Sequence, residues 1–304
     1  MKSSRLARWT ATAGVFAALV TGQVATAAPA IAAEPIRGLV RVSASSTLSP
    51  SSAPQTATAL CPAGKVIVGG GGRAVETGTP THTVRLTQLE PSDSIPTPAG
   101  TRQGYRVTAV RTNTSIFANW RVEAYAMCAF PISGRHIVVA STSTVTDPIQ
   151  EREVRCPAGE RVLGTGARIN SPSTRSVALQ VARSTPSGDL LRIRARESAD
   201  VNWNLVGFAV CAPPPAGYQV KFGESPQRLS EQTKTAFATC DSGRRLIGSG
   251  GAIAATPTTP GTIGFEDLSP VNDITMRAVA AEQSPTSQNW DFIVATGICA
   301  NATA

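Results

Sequence analysis

Apolar residues recur along this chain at every second position. Leu191, Ile193 and Ala195 alternate with Arg192, Arg194 and Arg196, and two other stretches follow the same pattern: Tyr105, Val107 and Ala109, then Ile274, Met276 and Ala278. Trp120, Val122, Ala124, Ala126 and Cys128 share one parity, as do Trp203, Leu205, Gly207, Ala209 and Cys211. Successive side chains of a strand point to opposite faces, so a period of two predicts half-buried strands and places Trp and Cys of one segment on one face. No stretch carries a long helical period, and Gly and Pro punctuate the runs at short intervals. The pattern predicts an all-β chain.

The strands belong to a unit written three times. Each copy opens on the frame C-x-x-G-x4-G-x-G: Cys61, Gly64, Gly69 and Gly71; Cys156, Gly159, Gly164 and Gly166; Cys240, Gly243, Gly248 and Gly250. A proline stands 30 residues after each first cysteine (Pro91, Pro186, Pro270), and an Asn-Trp pair follows, ending on Trp120, Trp203 and Trp290. A Cys-Ala pair closes each copy at Cys128, Cys211 and Cys299. The copies span residues 34–132, 133–213 and 214–304, with five or six short strands expected in each.

Length varies in one place: 29, 17 and 20 residues separate the proline from the tryptophan. Insertions are tolerated in exposed turns, so the segment after each proline reads as a surface loop, residues 92–104 in the first copy. The frame glycines read as tight turns or bulges. Trp290 and Cys299 are nine steps apart rather than eight, and a β-bulge near Thr296-Gly297 would restore the facing of that cysteine. The near-equal period and short linkers predict three antiparallel units about a pseudo-threefold axis, a β-prism-like arrangement. Three small β-sandwiches in tandem are the alternative.

Residues 1–33 read differently. Lys2, Arg5 and Arg8 precede a small apolar stretch, 10–24, and Ala-x-Ala sites follow at Ala25-Thr26-Ala27 and Ala30-Ile31-Ala32. This is the form of a secretory signal peptide. Gly22, Gln23 and Pro29 interrupt it well short of the ~20 apolar residues that a membrane span needs, so a released, extracellular protein without a transmembrane anchor is expected. Six cysteines in such a chain, two per copy, imply three disulfides. Equivalence of the copies selects Cys61–Cys128, Cys156–Cys211 and Cys240–Cys299 over pairing between neighbouring copies. Trp120, Trp203 and Trp290 suit either three platforms for sugar rings or a core packed on the disulfides; their parity with the cysteines favours the core.

Candidate chemistry is sparse. With 41% hydrophobic and 16% charged residues the chain is not disordered, and with 5% aromatics its core rests on Val, Ile, Leu and Ala. The only histidines, His82 and His136, argue against a metal site or proton shuttle. No nucleophile motif is present, and the closest carboxylate pairs, Glu151/Glu153 and Glu266/Asp267, have no evident partner. No catalytic residue, metal or cofactor is therefore predicted, and the chain is not expected to be an enzyme. The copies carry net charges of +4, +3 and −2. Arg192, Arg194 and Arg196 form an outward stripe that reads as a contact for an anionic polymer or as a solvated strand face. Nucleic acid is disfavoured, since no aromatic residues interleave the stripe.

The frame C-P-x-G-x4-G-x-G followed by W-x7-C-A, as at Cys61-Pro62-Ala63-Gly64 and Cys156-Pro157-Ala158-Gly159, resembles a module repeated in uncharacterised secreted actinobacterial proteins. Similar modules end some collagen-like and phage-tail proteins. The third copy departs, with Asp241-Ser242 in place of Pro-Ala. The resemblance covers nearly all of residues 39–300 and implies no activity. The triplicated β chain is also architecturally similar to vitelline membrane outer layer protein, which implies three sheets in a β-prism. The functional expectation is a secreted, non-catalytic binding or structural protein that engages cell-envelope or extracellular polysaccharide. A protein-binding inhibitor or toxin-associated module acting through residues 92–104 is a second class, and a polysaccharide-acting enzyme a third.

Overall fold

A computed structural model describes residues 33–78, 81–115, 117–226, 232–254, 262–282 and 290–304. The predicted signal peptide, except Ala33, and Asn289 lie outside the described residues. The first copy forms β1 (Val40–Ser45), β2 (Gln55–Leu60), β3 (Val66–Glu76), β4 (Val84–Thr97), β5 (Gly100–Arg111) and β6 (Trp120–Ala129). The second forms β7 (His136–Ser141), β8 (Ile149–Arg155), β9 (Arg161–Asn170), β10 (Val177–Ser184), β11 (Leu190–Glu197) and β12 (Asn204–Ala212). The third forms β13 (Gln219–Glu224), β14 (Thr233–Thr239), β15 (Arg245–Ile253), β16 (Ile263–Pro270), β17 (Thr275–Glu282) and β18 (Ile293–Ala300). A three-residue 3-10 turn, Thr174–Ser176, is the only helical element among the described residues, and no helix there is long and apolar enough to cross a membrane.

The strands pair antiparallel in three six-stranded sheets. Sheet I has the order β1-β6-β3-β16-β17-β14, sheet II β13-β18-β15-β10-β11-β8, and sheet III β2-β5-β4-β9-β12-β7. No sheet belongs to one copy. Each joins three strands of one copy to three of another, and the exchange runs cyclically through the chain. This is the prism-like arrangement; tandem sandwiches would keep every sheet within its own copy. The copies meet at short junctions of two residue pairs each: Asp267↔Arg73 and Leu268↔Gly72 in sheet I, Val181↔Ala252 and Ala182↔Gly251 in sheet II, and Gln88↔Arg168 and Leu89↔Ala167 in sheet III.

The glycine frame follows from this exchange. The first glycine makes a tight turn, with φ of +77°, +86° and +78° at Gly64, Gly159 and Gly243, a region open to glycine at little steric cost. The other two glycines answer to a neighbouring copy. A Cβ on Gly164 would lie 2.5 Å from Val68 O and 2.5 Å from Gly69 Cα; one on Gly69 would strike Ile247 O and Gly248 Cα; one on Gly248 would strike Leu163 O and approach Gly164 Cα. The contact is cyclic, so three backbones meet where only hydrogen fits. Gly71, Gly166 and Gly250 repeat the pattern one step out, against the carbonyls of Leu268, Leu89 and Ala182.

Between these glycines lie Gly70, Thr165 and Ser249. The Ser249 hydroxyl donates to Gly70 O (2.6 Å), and the Thr165 hydroxyl to Ser249 O (2.6 Å). Gly70 has no hydroxyl to continue the series. The Tyr105 ring fills the space above it, and the Tyr105 hydroxyl donates to Thr165 O (2.7 Å). Each of these buried carbonyls thus has a donor, as burial requires.

The disulfides join Cys61–Cys128, Cys156–Cys211 and Cys240–Cys299, with Cα atoms 5.6, 5.6 and 5.8 Å apart. Trp120, Trp203 and Trp290 are fully buried, as the core reading expected, but not packed on the disulfides: Trp120 opens β6 opposite Glu76, whereas Cys128 stands near its other end opposite Ile67. The indole N–H of Trp120 donates to Ser51 O (2.8 Å) and that of Trp203 to Asp147 O (3.2 Å), which keeps the polar end of each ring satisfied.

Three local expectations need correction. β18 pairs with β13 in unbroken register from Cys299 to Val294, so there is no bulge at Thr296-Gly297. The extra residue is taken up ahead of the strand, at Asp291-Phe292. Bulges lie instead at Val68, Leu163 and Ile247, beside the crowded glycines, where an inserted residue bends the strand around its neighbours, and a second set lies at Thr87, Gln180 and Glu266. Residues 92–104 are no loop: β4 and β5 extend through them, so the insertion pairs with itself as a longer hairpin. Pro91 and Pro270 stand in strands, whereas Pro186 lies in the turn where Gly188 N–H donates to Thr185 O (2.9 Å). Ile274 is 42% exposed in the turn before β17, although Met276 and Ala278 behind it are buried.

Candidate functional site

The junction of sheet II is open. A groove of 680 Å³ crosses it, with Val181, Ala252, Ile253 and Val294 among its lining and Glu151, Glu153, Arg183, Arg192, Arg194 and Glu224 around them. The pseudo-symmetry explains why this junction differs. In sheet III the equivalent of the Val181↔Ala252 pair is Gln88↔Arg168, and Arg168 reaches across to Glu90 (2.8 Å) and lies 5.4 Å over the Phe208 ring. In sheet I it is Asp267↔Arg73, with Arg73 on Glu123 (2.7 Å) and Arg277 on Asp267 (2.5 Å). Long charged side chains cross those two junctions, leaving only a smaller cleft at the one in sheet I. Small apolar ones leave the third uncovered.

The predicted arginine stripe borders this groove, but most of it is matched. Antiparallel pairing sets β11 against β8, bringing Arg192 onto Glu153 (3.0 Å) and Arg194 near Glu151 (3.4 Å). Arg194 also donates to Ile253 O (3.1 Å). The carboxylate pair Glu151/Glu153, which showed no partner in the sequence, thus has two. Arg196 stands farther along β11, outside the groove lining. The stripe is therefore an alternating array of both signs, not a uniformly cationic face.

Arg183 is the residue the sequence pattern did not single out. It sits on β10 directly opposite Arg192 and 5.7 Å over the ring of Phe222 from β13. Among the described residues no carboxylate lies within ion-pair distance of it. Burial, and then the charges of Arg192 and Arg194, hold its pKa below the ordinary arginine value. Only the register of β10 on β11, and of sheet II across two copies, brings these groups together.

A second, smaller cleft of 250 Å³ lies on sheet I around His82. The His82 Nδ1 is 3.1 Å from Glu266 Oε2, and its Nε2 is 3.1 Å from the Thr233 hydroxyl. The ring thereby links the first copy to two strands of the third. His82 is the only non-glycine residue with positive φ (+53°) among the described residues, and the Glu76 carboxylate holds its loop by accepting from the backbone N–H groups of Thr81 (2.6 Å) and His82 (3.0 Å). A bulge at Glu266 breaks the alternation of β16. Glu266 then meets His82, while Asp267 meets Arg277. This pair too had no evident partner in the sequence, because Glu266 is 184 residues from His82. The hydrogen bond His82 makes to the Glu266 carboxylate raises the His82 pKa, and burial raises that of Glu266. His82 pairs with Glu266 and Arg277 with Asp267, each carboxylate engaged through one oxygen, so the cleft reads as a clasp between copies.

Compared with known proteins, the chain matches no family model and no curated protein.

Proposed function

We propose that this is a secreted, non-catalytic glycan-binding protein whose ligand lies in the groove of sheet II. The observation that carries the reading is the uncovered junction: of three equivalent places, one has an apolar floor flanked by alternating guanidinium and carboxylate groups. Such a surface suits a sugar chain, since the floor receives C–H faces while carboxylates accept from hydroxyls and arginines donate to ring and hydroxyl oxygens. Three disulfides support an oxidising, extracellular setting. Among the described residues the triplication gives one such groove, not three.

Affinity electrophoresis in gels containing cell-wall or extracellular polysaccharides tests it. The unaltered protein is expected to be retarded. A Val181→Trp variant, with the groove filled, is expected to migrate freely while keeping its disulfide map and melting temperature. Equal retardation of both proteins, or release of reducing sugar from the gel polysaccharide, would overturn the reading.

A further inference from the structure

We infer that the groove selects polysaccharides bearing carboxylate groups, such as uronic acid residues, and that Arg183 is where the carboxylate docks. The inference rests on the glycan reading of the groove and names its ligand class. Four arginines (Arg152, Arg183, Arg192, Arg194) and three glutamates (Glu151, Glu153, Glu224) line the cavity, which leaves one positive charge in excess. Arg192 and Arg194 have Glu153 and Glu151 as neighbours. Of the other two arginines, Arg152 is exposed on β8, whereas Arg183 is half-buried against the face of Phe222, with Glu224 beyond ion-pair distance.

A guanidinium that stacks by its face keeps its edge donors available, and those donors match a planar carboxylate two at a time. Arg183 is also half-buried and repelled by Arg192 and Arg194, which Glu224 offsets only in part, so an arriving anion relieves an unfavourable field. One singly charged group neutralises the surplus. The neighbouring Glu151, Glu153 and Glu224 disfavour a more highly charged ligand.

The test compares retardation by polygalacturonate, its methyl ester, dextran sulfate and neutral dextran, at physiological salt. Polygalacturonate is expected to bind about tenfold or more tightly than its ester, as one charged hydrogen-bonding contact allows. Arg183→Gln should bring polygalacturonate down to the level of the ester, and Arg183→Lys should fall between. Arg155→Gln, which removes a charge on β8 outside the groove lining, should leave the preference intact. Equal binding of acid and ester, with no effect of Arg183→Gln, would overturn the inference while leaving glycan binding standing. Equal losses in the Arg155 and Arg183 variants, or an Arg183-dependent preference for dextran sulfate, would also overturn it. If none of the cell-wall polysaccharides or these polymers is bound, the glycan reading itself fails.

Discussion

Replacing Gly164 by alanine probes the place where the three copies meet. Its new Cβ would sit 2.5 Å from Val68 O and 2.5 Å from Gly69 Cα, where ordinary contacts begin at 3.4 Å. Both obstacles are backbone, so relief requires β3 and β9 to part by nearly an ångström at a point shared by all three sheets. Overpacking a well-packed interior costs about 1–3 kcal/mol and occasionally more, and rigid neighbours on two sides place this case near the upper end. The entropy alanine removes from the unfolded chain returns about 0.4–1 kcal/mol, leaving a net loss of about 2–3 kcal/mol. For a chain of this size that lowers Tm by about 4–12 °C. Scanning calorimetry on the disulfide-intact protein measures it. Gly297→Ala is the control, because its Cβ would meet nothing nearer than 3.3 Å, the end of the Leu246 side chain. Gly69→Ala and Gly248→Ala should fall in the same range as Gly164→Ala, since the three contacts form one cycle. A Gly164→Ala protein that melts with the Gly297→Ala control would mean that the copies do not abut through their main chains here.

Further outcomes follow from other contacts. Peptide mapping without reduction should recover the three within-copy bridges, and removing one, as in Cys156→Ser with Cys211→Ser, should cost about 4 kcal/mol on the loop-closure model; a peptide joining Cys128 to Cys156 would contradict the fold. His82 and Glu266 both have raised pKa values in the folded protein, so folding takes up protons and stability falls as pH rises. The His82 contribution is complete below its unfolded value of 6.5 and disappears as pH climbs through the folded one. His82→Ala should therefore flatten the decline of Tm above pH 6.5, and parallel curves for the two proteins would exclude the clasp. Glu123 runs the other way. Burial would raise its pKa, but hydrogen bonds from Tyr125, Arg73 and Arg121 bring it down to about 2, so its stabilisation is lost as pH falls from 4.5 toward that value. Glu123→Gln should level that part of the acid limb.

The strand faces and the disulfide pairing were legible because both are properties of one copy. Period two puts Trp120 and Cys128 on the same side whatever surrounds them, and threefold equivalence leaves one natural pairing of six cysteines. The frame glycines were visible but misread in part. Turns and bulges are local reasons for glycine, whereas Gly69, Gly164 and Gly248 answer to a main chain belonging to another copy. The bulge expected at Thr296-Gly297 is absent for a related reason: counting from Trp290 to Cys299 shows that a residue is extra, not where the ladder ends. Arg183 and His82 were passed over because their significance comes from contacts between distant strands and between copies, which a single stretch of sequence does not carry. The arginine stripe, conversely, looked more cationic than it is, because its counter-charges come from the adjacent β8.

The exchange of half-sheets makes each copy incomplete alone. The first copy, cut free, would present β3 and β4 as bare edges in two directions, and the partners that satisfy them are surfaces of its own kind. A single copy would accordingly be expected to close as a ring of three separate chains. Linking them end to end turns a concentration-dependent assembly into an intramolecular one, and it also lifts the requirement that all three seams be alike. Two could then be bridged by charged side chains while the remaining one kept an apolar floor to receive something from outside.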